Sequence, residues 1–476
     1  MEEFVSLGEW WLPNNPQVVV AGKLSFSPNS GAKLELLGSF YDSPFEETGK
    51  VKDLPSADKI LLSEESRITE ETTTFDLKSP KEPIILGFLE KNNEKITLYK
   101  CLGSIKTLQL IERANFVFEA TYVFREIHFE TEQQIKFNSI SIRYHNFEEW
   151  VGKSGVEAMW SREENKIWIS YQPPSNIPIG KFEEIDLSIS FSQIYINPSF
   201  ERYFRTTSYK RSIEQKTFFT LNNPQKQSID KCFEKIIYFR DFLTFAMSKP
   251  SSVSAVTGNV DITYEKPILK DDGSYYSEEV IWASQVNILF AFGNSGQNSE
   301  TNVFPHEMLF IYNDIEENLG EIFKQWLHKK ETYESVFDLF MITMYTSNLY
   351  LHYHFLNIIQ ALEVYHRIKY RKKDANLNPR LTELLKDITH LLPDNFIGGK
   401  NDRESFIKKA VDSRNALTHH SKKERLAKSE ELAKLFYTLK VMLQSCLLLE
   451  LGLTNESIKK LIERNRNYQK EWRLPN

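Results

Sequence analysis

The sequence DSRNALTHH, residues 412–420, ends an amphipathic helical segment and is followed by a basic turn. Apolar residues recur at helical spacing through the segment, which predicts a helix that packs against other helices and has Asp402 as its N-cap. These residues are Phe406, Ile407, Ala410, Val411 and Leu417. Within the same stretch, Arg414 precedes His419 by five positions and His420 by six. Arg binds phosphate and His transfers protons near neutral pH. The end of this predicted helix therefore also contains candidate reactive groups.

Helical periodicity extends outward from this stretch, from about residue 304 to the C-terminus. Long apolar stripes with a period near 3.6 and short connections predict a helical bundle. The predicted helices cover residues 308–326, 332–371, 378–392 and 402–419, with a last long helix from Ser429 and a charged, largely solvated helical tail at 458–470. The run 332–371 is either one helix or two with a break near residues 346–348, where Ser347 or Asn348 would cap the second.

The chain before residue 300 shows the alternation of β-strands instead. Short segments rich in aromatic and β-branched residues are separated by turn signals, which predicts an antiparallel sandwich or barrel. They include residues 17–26, 33–40, 83–89, 95–100, 116–127, 136–144, 166–171 and 185–191. A helix is predicted near residues 225–247, and the polar segment 42–81 is predicted as a surface excursion. The sequence therefore predicts an α+β protein: an N-terminal antiparallel β-rich domain, residues 1–300, followed by a C-terminal all-α bundle, residues 301–476.

The composition excludes several classes of protein. The 476 residues have a formal net charge of −6, which argues against a globally basic nucleic-acid coat and leaves room for a local basic groove. Cys101, Cys232 and Cys446 form no CxxC pair, so we expect no disulfide framework, no zinc knuckle and a reducing compartment. No basic segment followed by an apolar run opens the chain, and the apolar stretch 441–453 is too short to span a bilayer. We expect a soluble cytoplasmic protein that binds no membrane.

Two groups of side chains leave alternatives open. Trp10, Trp11, Trp150, Trp160 and Trp168 could form a ligand-stacking surface, although such residues are more often core. His352 and His354, two apart on a predicted helix, point to nearly opposite faces. They are therefore poor joint metal ligands, and core or interface roles fit them better.

Arg414, Asn415 and His419 can act on one phosphodiester. Asn415 and His419 are i and i+4 on the helix, and the long Arg414 side chain reaches the same space. A guanidinium stabilises charge on phosphate oxygens, and an imidazole accepts or donates the proton needed to break an RNA strand. The structural alternative is a helix C-terminus where cationic side chains oppose the helix dipole.

The string Arg-Asn-Ala-Leu-Thr-His, residues 414–419, resembles the R-polar-x3-H signature of HEPN ribonucleases. The earlier segment LNIIQALEVYH, residues 356–366, also resembles HEPN, with Glu363 as the match to the polar residue that faces the motif and Gln360 as the less favoured one. The N-terminal strings GEWWLP (8–13), AGKL (21–24) and LELLG (34–38) are similar to those of the ApeA group of anti-phage HEPN proteins.

This resemblance implies an anti-phage effector. Its bundle would cut cellular RNA, with tRNA the favoured substrate, by attack of the 2′-OH, without metal or cofactor, and cause growth arrest or abortive infection. The resemblance also implies a homodimer or higher homo-oligomer, and the N-terminal domain would sense a phage-derived trigger. His420 remains the alternative to His419 as the working histidine.

Two basic clusters near the motif are candidate RNA-phosphate contacts, although such runs are usually solvated helix ends. They comprise Arg367, Lys369, Arg371, Lys372, Lys422 and Lys423. Two other hypotheses remain. The bundle could be a non-catalytic module that binds a partner, a nucleotide or RNA, with Arg414 and His419 structural, or it could act like an antitoxin.

Overall fold

The computed structural model describes residues 1–41, 45–51, 72–77, 80–109, 113–196, 212–269, 275–292, 302–346, 348–371, 374–393, 396–419 and 426–468. The strands in this part of the chain are β1 (Phe4–Leu12), β2 (Asn15–Ser27), β3 (Gly31–Leu36), β4 (Phe45–Val51), β5 (Thr72–Leu77), β6 (Lys81–Leu89), β7 (Glu94–Gln109), β8 (Arg113–Arg125), β9 (Phe137–Tyr144), β10 (Val156–Ser161), β11 (Lys166–Tyr171), β12 (Ile177–Phe182), β13 (Ile185–Ile196), β14 (Ser212–Gln227), β15 (Val253–Leu269) and β16 (Tyr275–Phe290). The helices are α1 (Phe147–Val151), α2 (Ile229–Met247), α3 (Tyr312–Ile315), α4 (Leu319–Thr332), α5 (Glu334–Tyr345), α6 (Leu351–Tyr370), α7 (Leu377–Ile388), α8 (Lys400–His419), α9 (Ser429–Glu450) and α10 (Asn455–Arg464).

The chain forms two compact units that do not follow a single cut in the sequence. One unit contains residues 1–137 and 257–293, and the other contains residues 138–256 and 294–476. The α+β class with an antiparallel β-rich N-terminal part and a helical C-terminal part is confirmed. The predicted division between residues 300 and 301 stays a prediction.

The first unit contains a closed antiparallel barrel. Its six strands follow the order β8-β3-β2-β1-β6-β7, and β7 pairs back with β8. Alternate residues of these strands point inward, as in β2, where Leu24 and Phe26 are buried and Lys23 is exposed. Of the two architectures predicted for the β-rich part, the barrel is therefore the one observed. Within the predicted excursion 42–81, β4 and β5 pair as a hairpin, and residues 52–71 lie outside the described part.

The Trp10 side chain lies inside the barrel and leaves no room for a side chain at Gly87, the residue opposite it. Trp10 is fully buried, its indole N–H donates to the carbonyl of Gly22 at 3.4 Å, and it pairs in register with Gly87. A Cβ added at Gly87 would lie 2.3 Å from the Trp10 ring. The predicted tryptophan group is thus divided: Trp10 and Trp150 are core, whereas Trp160 and Trp168 are exposed on the β10–β11 hairpin.

The second unit packs helices on four neighbouring strands of order β12-β13-β14-β9, of which β12, β13 and β14 pair antiparallel. Helix α2 contacts β14, α4 and α5, and its Phe239 stacks on Phe219 of β14 with ring centroids 3.9 Å apart. The indole N–H of Trp326 in α4 donates to the carbonyl of Tyr238 in α2 at 3.1 Å. The helix predicted near residues 225–247 therefore joins the sheet of this unit to its bundle.

Helix α6 lies at the centre of the bundle, where it contacts α5, α7, α8 and α9. The predicted break between two helices near residues 346–348 is confirmed, since α5 ends at Tyr345 and α6 begins at Leu351. The predicted cap is wrong for Asn348, because the N-cap of α6 is Tyr350; Ser347 lies outside the described residues.

Three helical predictions need correction. The single helix predicted over 308–326 is divided into α3 and α4 by a 3-10 turn, which lets both Ile315 and Leu319 face the core. Asp402 is not the N-cap of α8 but lies in its first turn, where its carboxylate accepts the Gly399 N–H at 2.8 Å. The tail predicted to be largely solvated includes α10, whose Ile458 and Leu461 are buried because the helix is amphipathic.

One helix in the described part of the chain, α9, is long and apolar enough to cross a membrane by length and composition. Of its most apolar window, 72% is buried inside the protein, as in the core helix of a bundle. Most of the apolar stretch 441–453, which the sequence indicates is too short to span a bilayer, belongs to this packed helix.

Candidate active site

The last two turns of α8 present the predicted motif. Ser413 and Ala416 are buried against the rest of the bundle, whereas Arg414 and Asn415 are partly exposed and His419 is exposed. Because α8 contacts α6, α7 and α9, its buried face fixes the direction in which the motif residues project. The sequence pattern thus places the motif on the solvent side of a well-anchored helix.

Arg414 is held by two groups. Its Nη2 lies 3.6 Å from Oε2 of Glu363 in α6, and its Nη1 donates to Oδ1 of Asn415 at 3.2 Å. The side chains of Arg414 and Glu363 are 30% and 21% exposed. The structure therefore brings together three of the four predicted catalytic residues, with the guanidinium still open to solvent.

Glu363 lies between two guanidinium groups. Besides Arg414, it accepts from Nη2 of Arg367, one turn further along α6, at 3.4 Å. Ion pairs this open to water contribute only about 0–1 kcal/mol each. Their main effect is to hold two guanidinium groups beside one carboxylate, which concentrates positive charge at this point of the surface.

His419 is the last residue of α8 and lies one turn beyond Asn415. Two hydrogen bonds order this helix end: the Thr418 hydroxyl donates to the Arg414 carbonyl at 2.9 Å, and the Ala427 N–H donates to the Ser413 hydroxyl at 3.2 Å. The second bond joins α8 to the segment that precedes α9. His420, Lys422 and Lys423 lie outside the described residues.

The predicted RNA-binding residues of α6 diverge. Arg367 is exposed beside Glu363, but Nζ of Lys369 lies 3.6 Å from Asp387 of α7. Arg371 is exposed and adopts a left-handed conformation with φ 54° at the end of the helix, and Lys372 lies outside the described residues. Among the described residues of this basic run, only Arg367 contacts Glu363.

The family assignment agrees with this geometry. Residues 6–326 match the sequence model described as ApeA N-terminal domain 1. The chain belongs to the ApeA family. Residues 356–457, which run from the second turn of α6 to the first turn of α10, match the model described as Apea-like HEPN.

The ApeA assignment places the chain in a family of anti-phage defence proteins whose HEPN domains are typically ribonucleases. Both Glu363 and the motif on α8 fall within the HEPN match. A search of the curated proteins found no match. A search of the solved structures found none either.

Sequence reasoning missed a second polar cluster on the same helix of this ApeA-family chain. His366, three residues after Glu363, is fully buried, and its Nε2 lies 2.8 Å from Oε2 of Glu383 in α7. Arg380 of α7 is 1% exposed; its Nε donates to the Ala375 carbonyl at 2.8 Å, and its Nη1 lies 3.5 Å from both Nδ1 of His366 and the Glu363 carbonyl. This cluster contacts the backbone of the α6 turn that carries Glu363. Arg380 interrupts the apolar stripe of α7, and this charged residue was the feature of the sequence that could have revealed the cluster.

Proposed function

We propose that this chain is a metal-independent endoribonuclease that cuts cellular RNA, with tRNA as the favoured class, during anti-phage defence. The observation that carries the proposal is the contact between Arg414 and Glu363 at the solvent-open end of α8, next to an exposed His419. A HEPN match that covers both helices supports the same assignment.

The proposed reaction needs one proton acceptor, one proton donor and a cation. The ribose 2′-oxygen loses its proton and bonds to phosphorus, the P–O5′ bond breaks, and the products are a 2′,3′-cyclic phosphate and a 5′-OH. His419 takes the 2′-OH proton or, when protonated, gives one to the 5′ oxygen. Arg414 stabilises the charge on the equatorial phosphate oxygens, and Asn415 and Glu363 hold the guanidinium in place.

A single chain offers one Arg414–His419 pair, and two proton transfers are needed. We therefore propose that the active form is a homodimer or higher homo-oligomer in which the pairs of two chains meet at one RNA strand. Mixing an excess of Arg414→Ala,His419→Ala chains with wild-type chains tests this directly. Activity per wild-type chain should fall if the pairs act together and stay constant if each chain acts alone.

The decisive experiment measures cleavage of a labelled tRNA pool by the purified full-length chain and by His419→Ala. General acid–base catalysis contributes roughly 10²–10⁴-fold, so the variant should lose at least two orders of magnitude in rate. His390→Ala is the matched control, because His390 is exposed on the short 3-10 turn after α7 and lies outside the motif. His420→Ala identifies which of the two adjacent histidines works.

Equal cleavage by wild type and His419→Ala would remove the enzymatic proposal. The bundle would then act as a binding module, and the Arg414–Glu363 pair would be part of its docking surface. An EDTA control belongs in the same assay, because loss of cleavage on chelation would contradict metal independence. Sequencing of RNA ends after phage infection, with wild type and Arg414→Ala compared, would identify the substrate and the dependence on a trigger.

A further inference from the structure

A lysine interrupts the buried stripe of α9. Lys440 lies one turn after Phe436 and one turn before Gln444, so the three residues share one face of the helix. Phe436 and Gln444 are buried, and Lys440 is partly buried between them. The Lys440 side chain is therefore only partly open to water and is flanked by buried residues on its own face of the helix.

Two contacts define what surrounds Lys440. The His354 ring of α6 lies against the Phe436 ring with centroids 5.9 Å apart, and Nε2 of Gln444 donates to the Ser248 hydroxyl at 2.6 Å. Ser248 directly follows α2, and Lys249 comes next. Lys440 is thus flanked by His354 on one side and by the start of the Lys249 loop on the other.

None of these three polar groups has an ionic partner among the described residues. Lys440 and Lys249 make no ion pair or hydrogen bond there through their side chains, and Nδ1 of His354 is buried without a hydrogen-bond partner. Charged side chains that leave water are normally paired. Lys249 is exposed and needs no partner, whereas the partly buried Lys440 and the buried Nδ1 of His354 lie on neighbouring helices without one and require an explanation.

The electrostatics agree with the geometry. Burial, followed by the charge of Lys249, lowers the pKa of Lys440 to about 8. The pKa of His354 is lowered chiefly by burial, and the charge of Lys440 adds to this effect. Lys440 and Lys249 are the only charged side chains among the described residues that shift these two pKa values, and both are positive.

We propose that Lys440, Lys249 and His354 form a binding site for the terminal phosphate group of a small molecule. Two ammonium groups match the charge of a terminal phosphate, which is largely a dianion at neutral pH, better than that of an internal phosphodiester. Lysine binds phosphate as a point charge, and the N–H of a nearby neutral imidazole can donate a hydrogen bond to a phosphate oxygen. Glu363 lies nine residues further along α6, roughly 14 Å along the helix axis, so this site is separate from the one proposed for RNA cleavage.

The test measures thermal unfolding of the full-length chain in inorganic phosphate, in a nucleoside monophosphate, and in chloride of equal ionic strength. A ligand that binds the folded state raises the unfolding temperature. Wild type should unfold at a higher temperature with either phosphate probe. Lys440→Met should unfold at a higher temperature than wild type without ligand, because it removes an unpaired charge, and should lose the response to phosphate.

Lys434→Met is the matched control, since Lys434 is exposed on the same helix, and it should keep the phosphate response. A second measurement uses wild type alone and follows acylation of individual lysines by mass spectrometry. Phosphate should slow the labelling of Lys440 several-fold and leave Lys434 unchanged. Because this needs no variant, it holds even if Lys440→Met fails to fold.

The proposal is overturned if neither phosphate probe raises the unfolding temperature of wild type, or if Lys440→Met responds as strongly as wild type. It is also overturned if phosphate leaves the labelling of Lys440 unchanged. A shift produced by an oligoribonucleotide without terminal phosphates, but by neither phosphate probe, would assign these lysines to RNA instead and would equally reject the small-molecule site. None of these results depends on whether the chain cleaves RNA.

Discussion

Two polar clusters share helix α6 and contain nearly the same residue types. One joins Glu363 to Arg414 and Arg367 at the surface, and the other joins His366 to Glu383 and Arg380 in the interior. Each includes a carboxylate and an arginine, with a histidine in or near it. The Arg414 side chain is 30% exposed, whereas Arg380 is 1% exposed.

Burial, rather than residue type, separates the two roles. A phosphodiester can approach Arg414 because its guanidinium faces water, whereas the Arg380 guanidinium is enclosed and bonded to backbone carbonyls. A buried charge that loses its partner is costly, and an exposed one is not. The interior cluster should therefore control stability, and the surface cluster should control activity.

The largest expected effect is on stability at the interior cluster. Arg380→Ala leaves the carbonyls of Ala375 and Glu363 and Nδ1 of His366 without the guanidinium that they contact. Each buried polar group left unsatisfied costs about 1–3 kcal/mol, so the free energy of unfolding should fall by about 3–5 kcal/mol. Urea unfolding of the full-length chain measures this, and Arg403→Ala on α8, a partly exposed arginine, provides the control. An Arg380→Ala chain as stable as wild type would show that burial does not distinguish the two clusters.

The next effect is on activity at the surface cluster. Arg414→Ala removes the cation that faces the phosphate and should slow RNA cleavage by about 10²–10³-fold. Its free energy of unfolding should change by no more than about 1 kcal/mol, because the ion pair that it breaks is open to water. The cleavage rate and the unfolding curve are measured on the same preparation. A large loss of stability would instead make Arg414 a structural residue like Arg380.

Glu363→Gln should have the smallest effect of the three. The amide keeps the shape of the side chain and an oxygen acceptor for Arg414, and it loses the charge that orients both Arg414 and Arg367. We expect roughly a tenfold loss in cleavage rate, equivalent to about 1.4 kcal/mol. Gln360→Glu is the companion variant, since Gln360 is exposed one turn earlier on α6 and was the less favoured match. Full activity of Glu363→Gln would show that the charge of Glu363 does not contribute to cleavage.

Local patterns in the sequence predicted much of the fold and part of the site. The start of α9 at Ser429 and the alternation of the strands follow from periodicity and turn residues, and the break between α5 and α6 is one of the two alternatives that the sequence left open. The pairing of Glu363 with Arg414 followed from the family resemblance, and the contact at 3.6 Å agrees with it. Of the basic run, Lys369 turned toward Asp387, which periodicity on α6 alone does not reveal.

Other features depended on contacts between distant residues. Trp10 and Trp160 are the same residue type in strands of similar pattern, yet one fills the barrel and the other is exposed on a hairpin. Whether an aromatic residue is core depends on whether another element covers its face, which a single strand does not encode.

The amino-acid sequence by itself determined the class of each half, the order of the helices and the identity of the motif residues, because these follow from spacing along one chain. The tertiary structure decided which polar groups are enclosed and which meet water, and it enclosed Arg380 and left Arg414 partly exposed. It also packed α9, which carries Lys440, against α6, which carries His354, and joined α9 through Gln444 to Ser248, the residue before Lys249. The cost of removing a charge from water depends on everything packed around it, and that environment exists only once the helices have assembled.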